Sequence, residues 1–187
     1  MWKATAALTV EGTVLEGRNG VVIGVGPNSK AATVAFSDCT FRTDSAVMIV
    51  LTRQGTGGPL PMTVRRCVLD TDNVTTQYHH PPYPVGGRPT AGEMKTMARK
   101  VLNWTESENV YRRKASYLTA WARGRPQSPG DIKTVADWLE YWQQPDVRSI
   151  EGDLRFAPRP DGAKNGPPRL EAVEQPSGVV PAWANGR

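Results

Sequence analysis

One pattern is written three times along the first half of this chain. Val10-Glu-Gly-Thr13-Val-Leu15, Phe36-Ser-Asp-Cys39-Thr-Phe41 and Val64-Arg-Arg-Cys67-Val-Leu69 share an apolar residue, two polar ones, a small Thr or Cys, one more, and a large apolar residue. The last two copies also match further on, through Thr43-Asp44 and Thr71-Asp72. The copies recur at roughly 26–28 residues, a period that points to a solenoid, in which each repeat buries its apolar face against its neighbours. A repeat of this kind constrains architecture and leaves activity open.

Each repeat carries a second strand-like piece. Val21-Val-Ile-Gly-Val25 follows the turn residues Arg18-Asn19-Gly20, and Ala46-Val-Met-Ile-Val-Leu51 follows Thr43-Asp-Ser45. These are β-branched runs of strand length bounded by turn residues. Loops rich in breakers, Gly26-Pro27-Asn28-Ser29 and Gly55-Thr-Gly-Gly-Pro59, separate the repeats and project from one edge. A small antiparallel sandwich explains the strands but not the repeated signature. The expected fold is mainly β: a short right-handed parallel β-helix over residues 1–156. Helical insertions are expected near 90–100 and 131–143, followed by a mostly irregular Pro/Gly-rich tail at 157–187.

The decorations are read from local signals. Residues 73–89 break the pattern, ending in the Pro-rich Tyr78-His-His-Pro-Pro-Tyr-Pro-Val-Gly-Gly. Thr90-Ala-Gly-Glu93 reads as a capping box opening Met94, Met97, Ala98 and Val101 at helical spacing. A strand is expected near Val101 to Trp104, with further strands at Asn109–Tyr111 and Ser116–Trp121. Ile132, Val135, Ala136, Leu139 and Trp142 form one apolar stripe, capped by Asp131 or by Ser128 with Pro129 and stopped by Pro145. Ser149–Phe156 is read as a last strand. The remaining chain has too little apolar material for a core, unless Val179, Val180 and Trp183 pin it.

Charge and cysteine content narrow the function classes. The 187 residues carry a net charge of +5. The basic groups are small: Arg65-Arg66, Arg112-Arg113-Lys114 and Arg123 to Arg125. They read as solvated faces rather than a nucleic-acid footprint. Cys39 and Cys67 occupy equivalent repeat positions and should stack. Strand spacing of about 4.8 Å permits a bridge, and buried free thiols are the favoured reading. No run reaches the roughly 20 apolar residues of a membrane helix. Met1–Leu8 is too short and too weakly apolar for a signal peptide. The abrupt start of the first repeat suggests a piece of a larger architecture, since solenoids normally carry a cap.

His79-His80 can bind metal or transfer protons, but no Asp, Glu or Cys stands at ligand spacing and the pair reads as an exposed loop. Gly24-Val-Gly26-Pro-Asn-Ser-Lys30 lacks the second Gly-Lys and the helix of a phosphate loop. Asp38, Asp44, Asp70 and Asp72 are the carboxylates available for calcium or glycan cleavage. Asp44 and Asp72 should stack, with solvated turn positions the preferred reading. Trp104, Tyr111, Tyr117, Trp121, Trp138, Tyr141 and Trp142 can form a sugar-stacking surface; core packing is favoured. Asn73-Val-Thr75 and Asn103-Trp-Thr105 match glycosylation acceptors, with nothing to place the chain in a secreted eukaryotic setting.

The order Val101-Leu-Asn-Trp104, Glu108-Asn-Val-Tyr111, Tyr117-Leu118, Ala136-Asp-Trp-Leu-Glu-Tyr-Trp142, Ser149 and Arg155-Phe156 resembles the C-terminal extracytoplasmic region of large planctomycete proteins often labelled serine/threonine protein kinases. The resemblance covers residues 8–156. It implies β-helix-like repeats in a non-catalytic module and an extracytoplasmic setting. It imports no kinase activity: the chain has no Gly-rich loop with a Val-Ala-Ile-Lys strand, no His-Arg-Asp loop and no Asp-Phe-Gly.

The expected function is therefore a non-enzymatic structural or ligand-binding module, without cofactor or metal. Its partner would be a protein or glycan surface, or another copy meeting it at an exposed solenoid end. Binding is expected at the loops near Pro27–Lys30, Arg53–Pro59 and Tyr78–Tyr83, with Lys30, Arg53, Tyr78, His79, His80 and Tyr83 as the site residues. The rivals are a carbohydrate-active enzyme using the four aspartates and a weak nucleic-acid binder using Arg65, Arg66, Arg112 and Arg113.

Overall fold

The computed structural model describes residues 7–25, 32–52, 58–80, 89–122, 125–145, 147–156 and 170–174. The chain is mainly β, in the order β1 (Ala7–Glu11), β2 (Val14–Val25), β3 (Thr33–Ser37), β4 (Thr40–Thr52), β5 (Leu60–Arg65), β6 (Val68–His80), α1 (Ala91–Val101), β7 (Leu102–Ser107), β8 (Val110–Arg112), β9 (Ser116–Ala122), β10 (Arg125–Gln127), α2 (Val135–Tyr141), β11 (Ile150–Phe156) and β12 (Leu170–Glu174). Strands β1, β3, β5 and β7 form one sheet with every neighbour parallel. In the second sheet β2, β4 and β6 are parallel, and β6 then pairs with β8 along its first part and β9 along its second. Strand β11 continues parallel to β8, while β10 and β12 add antiparallel edges.

The three copies of the sequence pattern lie side by side in register. Val10 pairs with Phe36 and Phe36 with Val64 on one sheet. Leu15 pairs with Phe41 and Phe41 with Leu69 on the other. Like positions therefore stack, and their side chains meet in one core, where the Phe36 and Phe41 rings touch edge to face at 5.2 Å. The two sheets are not closed on one another. Apolar side chains of α1 and α2 join the core: Met94, Ala98, Val101, Trp138 and Tyr141.

The sharp bend from one sheet to the other needs a left-handed residue in each repeat. Gly12 (φ 58°), Asp38 (φ 55°), Arg66 (φ 48°) and Glu108 (φ 56°) supply it. Only the first is a glycine. The cost of the others, about 1–3 kcal/mol each, is offset by paired backbone and charge. Asp38 N–H donates to Arg65 O at 3.0 Å and Arg66 N–H to Ser107 O at 2.9 Å. The Arg66 guanidinium grips Asp38 through both carboxylate oxygens, at 2.9 and 2.6 Å.

The expected turns at 18–20 and 43–45 are instead bends within continuous strands. The β2–β4 ladder runs Gly17↔Thr43, Asn19↔Ser45, Val21↔Val47. Ser45 and Ala46 are both buried, so two consecutive residues face inward at the bend. Pairing on either side leaves no slack for a true turn. Gly20 sits under this bend: a Cβ there would lie 2.6 Å from Phe41 Cδ1 and 2.7 Å from Ala46 O. Gly20→Ala is expected to cost about 1–3 kcal/mol as overpacking. Gly24→Ala, in open space on the same strand, should be neutral or slightly stabilising. Urea denaturation of the two variants checks this, and equal stabilities would refute the steric assignment.

Residues 73–80 likewise do not break the pattern. They extend β6, because Val74, Thr75 and Gln77 are buried between β4 and β9. Helix α1 has the expected length, and α2 is shorter than expected. Thr90 and Glu93 do form the capping box of α1. The cap of α2 is Thr134, with Asp137 returning hydrogen bonds to the Thr134 and Lys133 N–H groups, so Asp131, Ser128 and Pro129 precede the helix. Trp138, not Ala136, fills the buried side of α2. The tail carries a strand: β12 pairs with β11. Val179, Val180 and Trp183 lie outside the described residues.

Candidate functional site

Beyond the bend, alternation along β4 and β6 turns Val47, Ile49, Leu51 and Gln77 into the core and leaves Met48, Val50 and Tyr78 on the outward side. An outward, half-solvated sheet face is normally polar. Here one line across the second sheet is not. Gly24 pairs with Val50, Val50 with Tyr78, Tyr78 with Trp121 and Trp121 with Pro126. Val22 beside Met48 widens it. Tyr78 is 39% exposed and Val22 55%, while Val50 and Trp121 are half-buried. Neighbouring strands place the Tyr78 and Trp121 side chains within about 5 Å at their bases. The result is an aromatic and aliphatic stripe, with proline on the short edge strand β10, where it removes no ladder hydrogen bond that a neighbour needs.

Of the six predicted binding residues, Tyr78 is on this stripe. His79 and His80 are strand residues, not loop residues: their backbones pair with Leu51 and Thr52. Lys30, Arg53 and Tyr83 lie outside the described residues, in the segments that follow β2, β4 and β6. Trp121, which composition alone placed with the core aromatics, belongs to the stripe. Its position opposite Tyr78 was hidden because 43 residues and a helix separate the two.

The predicted acidic face is neutralised. Glu16, Arg42 and Asp70 are register neighbours, and with Arg112 on β8 they alternate in sign. Arg42 meets Glu16 at 2.9 Å and Asp70 at 3.7 Å, and Arg112 meets Asp70 at 3.8 Å and Asp72 at 2.8 Å. Opposite charges directly across strands favour this register. Asp44 and Asp72 lie between the Thr43↔Thr71 and Ser45↔Asn73 pairs of the β4–β6 ladder, and Asp72 is paired with Arg112. Asp38 is held by Arg66. Three of the four candidate nucleic-acid arginines, Arg66, Arg112 and Arg113, are likewise bound to carboxylates, the last to Asp153 at 2.7 Å. Among the described residues, no cluster of three or more His, Cys, Asp or Glu is placed to hold a metal.

Sequence reasoning missed Glu106. Its Oε2 accepts from Trp104 Nε1 at 2.7 Å, Trp138 Nε1 at 3.0 Å and the Tyr111 hydroxyl. Its Oε1 is buried without a hydrogen-bond partner. Burial raises the Glu106 carboxyl above the usual range against those donors. The legible signal was alternation: Trp104-Thr-Glu106 in a strand puts Glu106 on the buried side with Trp104. Trp104, Tyr111, Tyr117, Trp138 and Tyr141 surround it as core, as expected, and Trp142 is half-buried. Its hydrogen bonds tie β7 and β8 to α2 in the core.

No family model matches this chain, and neither a curated protein nor a solved structure is significantly similar to it.

Proposed function

We propose that this chain is a non-enzymatic binding module, built as a short right-handed parallel β-helix, and that the Tyr78–Trp121 stripe is where its partner docks. The observation that carries the reading is the line of Val50, Tyr78 and Trp121, apolar and aromatic side chains that stay partly exposed on the outward side of the sheet. The in-register stacking of three sequence repeats on both sheets supports the β-helix architecture. The docking partner presents flat apolar faces, as the rings of a glycan chain do, which stack on aromatic side chains and offer hydroxyls to a polar rim. The resemblance of residues 8–156 to the extracytoplasmic part of planctomycete kinase-labelled proteins supports a place in a larger signalling or surface protein.

A glycan array and a polysaccharide-degradation screen, with and without calcium, test this. Binding without product is expected. Tyr78→Ala and Trp121→Ala should each weaken it about tenfold, the equivalent of roughly 1.4 kcal/mol. Product formation that Asp72→Asn abolishes would overturn the module reading in favour of an enzyme. Binding indifferent to both aromatic substitutions would remove the stripe as the site.

A further inference from the structure

Two thiols that the proposed function does not use lie against each other in the core. Cys39 and Cys67 immediately precede β4 and β6, whose first residues Thr40 and Val68 are register partners. Val68 N–H donates to the Cys39 carbonyl at 2.9 Å. The preceding residues, Asp38 and Arg66, are clamped by their two-point ion pair, so the two cysteine backbones are held side by side. Strand spacing of about 4.8 Å lies within the Cα separation that a disulfide spans. Both thiols are free and buried, and they contact one another directly. A hydrogen bond from Cys67 is the largest influence on Cys39 and lowers its thiol to about 7, against the opposing effect of burial.

The cover over Cys39 is thin. Its Sγ lies 3.4 Å from Val10 O and 3.2 Å from Ser37 O. Val10 belongs to β1, a five-residue edge strand held in its sheet by β3 and exposed along most of its length. Short edge strands open at a small fraction of the free energy of global unfolding. Opening of β1 would uncover Cys39 while β3–β5 pairing persists. Cys67, one strand deeper, would be reached through Cys39.

We propose that Cys39 and Cys67 form an oxidisable dithiol which hydrogen peroxide, or a hydroperoxide of similar size, converts to a disulfide between neighbouring strands. The Cys39 thiolate attacks one peroxide oxygen and the O–O bond breaks. Cys39 becomes a sulfenic acid, and the departing hydroxide takes a proton to become water. Burial and the contact with Cys39 keep Cys67 a thiol; its sulfur attacks the Cys39 sulfur, the S–O bond breaks, and the Cys67 proton leaves with the hydroxide as a second water. The two thiols lose two electrons and two protons, and one peroxide becomes two waters. In-register parallel strands do not offer ideal bridge geometry, so the disulfide is of the readily reduced class.

The test is to treat the folded chain with hydrogen peroxide, then denature it, alkylate and weigh it. Paired loss of both alkylation sites, with a mass lower by two hydrogens and recovery in dithiothreitol, is expected. Cys67→Ala should stop at a sulfenic acid on Cys39 that dimedone traps. Cys39→Ala should leave Cys67 a thiol. Should either variant fail to fold by circular dichroism, the wild-type mass decides alone. Two intact alkylation sites after peroxide, or a disulfide found between molecules rather than within one, would overturn the proposal.

Discussion

Trp138→Ala is expected to remove more stability than any other single truncation of α2, about 3–5 kcal/mol. Trp138 is completely buried. Its ring meets Trp104 at 5.5 Å, Tyr117 at 5.8 Å, Tyr141 at 6.0 Å and Trp142 at 5.5 Å. One side chain thus joins α2 to β7 and β9 and anchors a helix of seven residues, too short to persist by itself. Removing it leaves a cavity and frees the helix at once. Trp138→Phe keeps a ring in place but vacates the indole bond to Glu106, and its cost should fall between wild type and Trp138→Ala. Urea denaturation followed by far-ultraviolet circular dichroism measures both. A loss below about 1 kcal/mol for Trp138→Ala would show that α2 is peripheral to the cooperative unit.

Glu106→Leu should cost about 3 kcal/mol or more, while Glu106→Gln should stay near wild type. Leucine orphans three buried donors, the indole N–H groups of Trp104 and Trp138 and the Tyr111 hydroxyl, at about 1–3 kcal/mol each. Glutamine keeps an acceptor oxygen for all three and carries no charge into the core. The same pair of variants isolates a pH effect. The folded carboxyl is raised above its ordinary 4.5. Between that value and the raised one, the native state keeps a proton that the unfolded chain releases. Unfolding then sheds protons, so stability from this group is full at acid pH and is lost as pH rises through the folded value, levelling off above it. Glu106→Gln should flatten that slope. A wild-type stability that rises with pH across the same window, with Glu106→Gln indistinguishable from it, would show that Glu106 is not the group responsible.

The Gly20 result bears on how the repeat is built. Gly20, Ala46 and Val74 occupy matching positions, yet glycine is required at the first because the Phe41 ring occupies the space where its side chain would stand. A repeat is therefore not a set of interchangeable units. Each copy accommodates the side chains stacked on it from the next, which a pattern of residue classes does not convey.

The sequence by itself determined the repeat, the pairing of like positions and most strand locations. Those features depend on alternation and spacing within some thirty residues, and Phe36 beside Val64 or Phe41 beside Leu69 follows from counting. The Thr90–Glu93 cap was legible for the same reason: it is a contact across three residues. The tertiary structure decided the rest. It carried β6 through to His80, where the proline cluster beyond suggested a loop, because β4 pairs with it to its end and β9 as far as Tyr78. It paired Asp72 with Arg112, forty residues away in the chain. It placed Glu106 among the donors of Trp104, Tyr111 and Trp138, and Tyr78 beside Trp121. Each of these depends on which residues far apart in the chain come to share a few ångströms. That is set by how the α1 insertion loops out between β6 and β7 while the register continues beneath it.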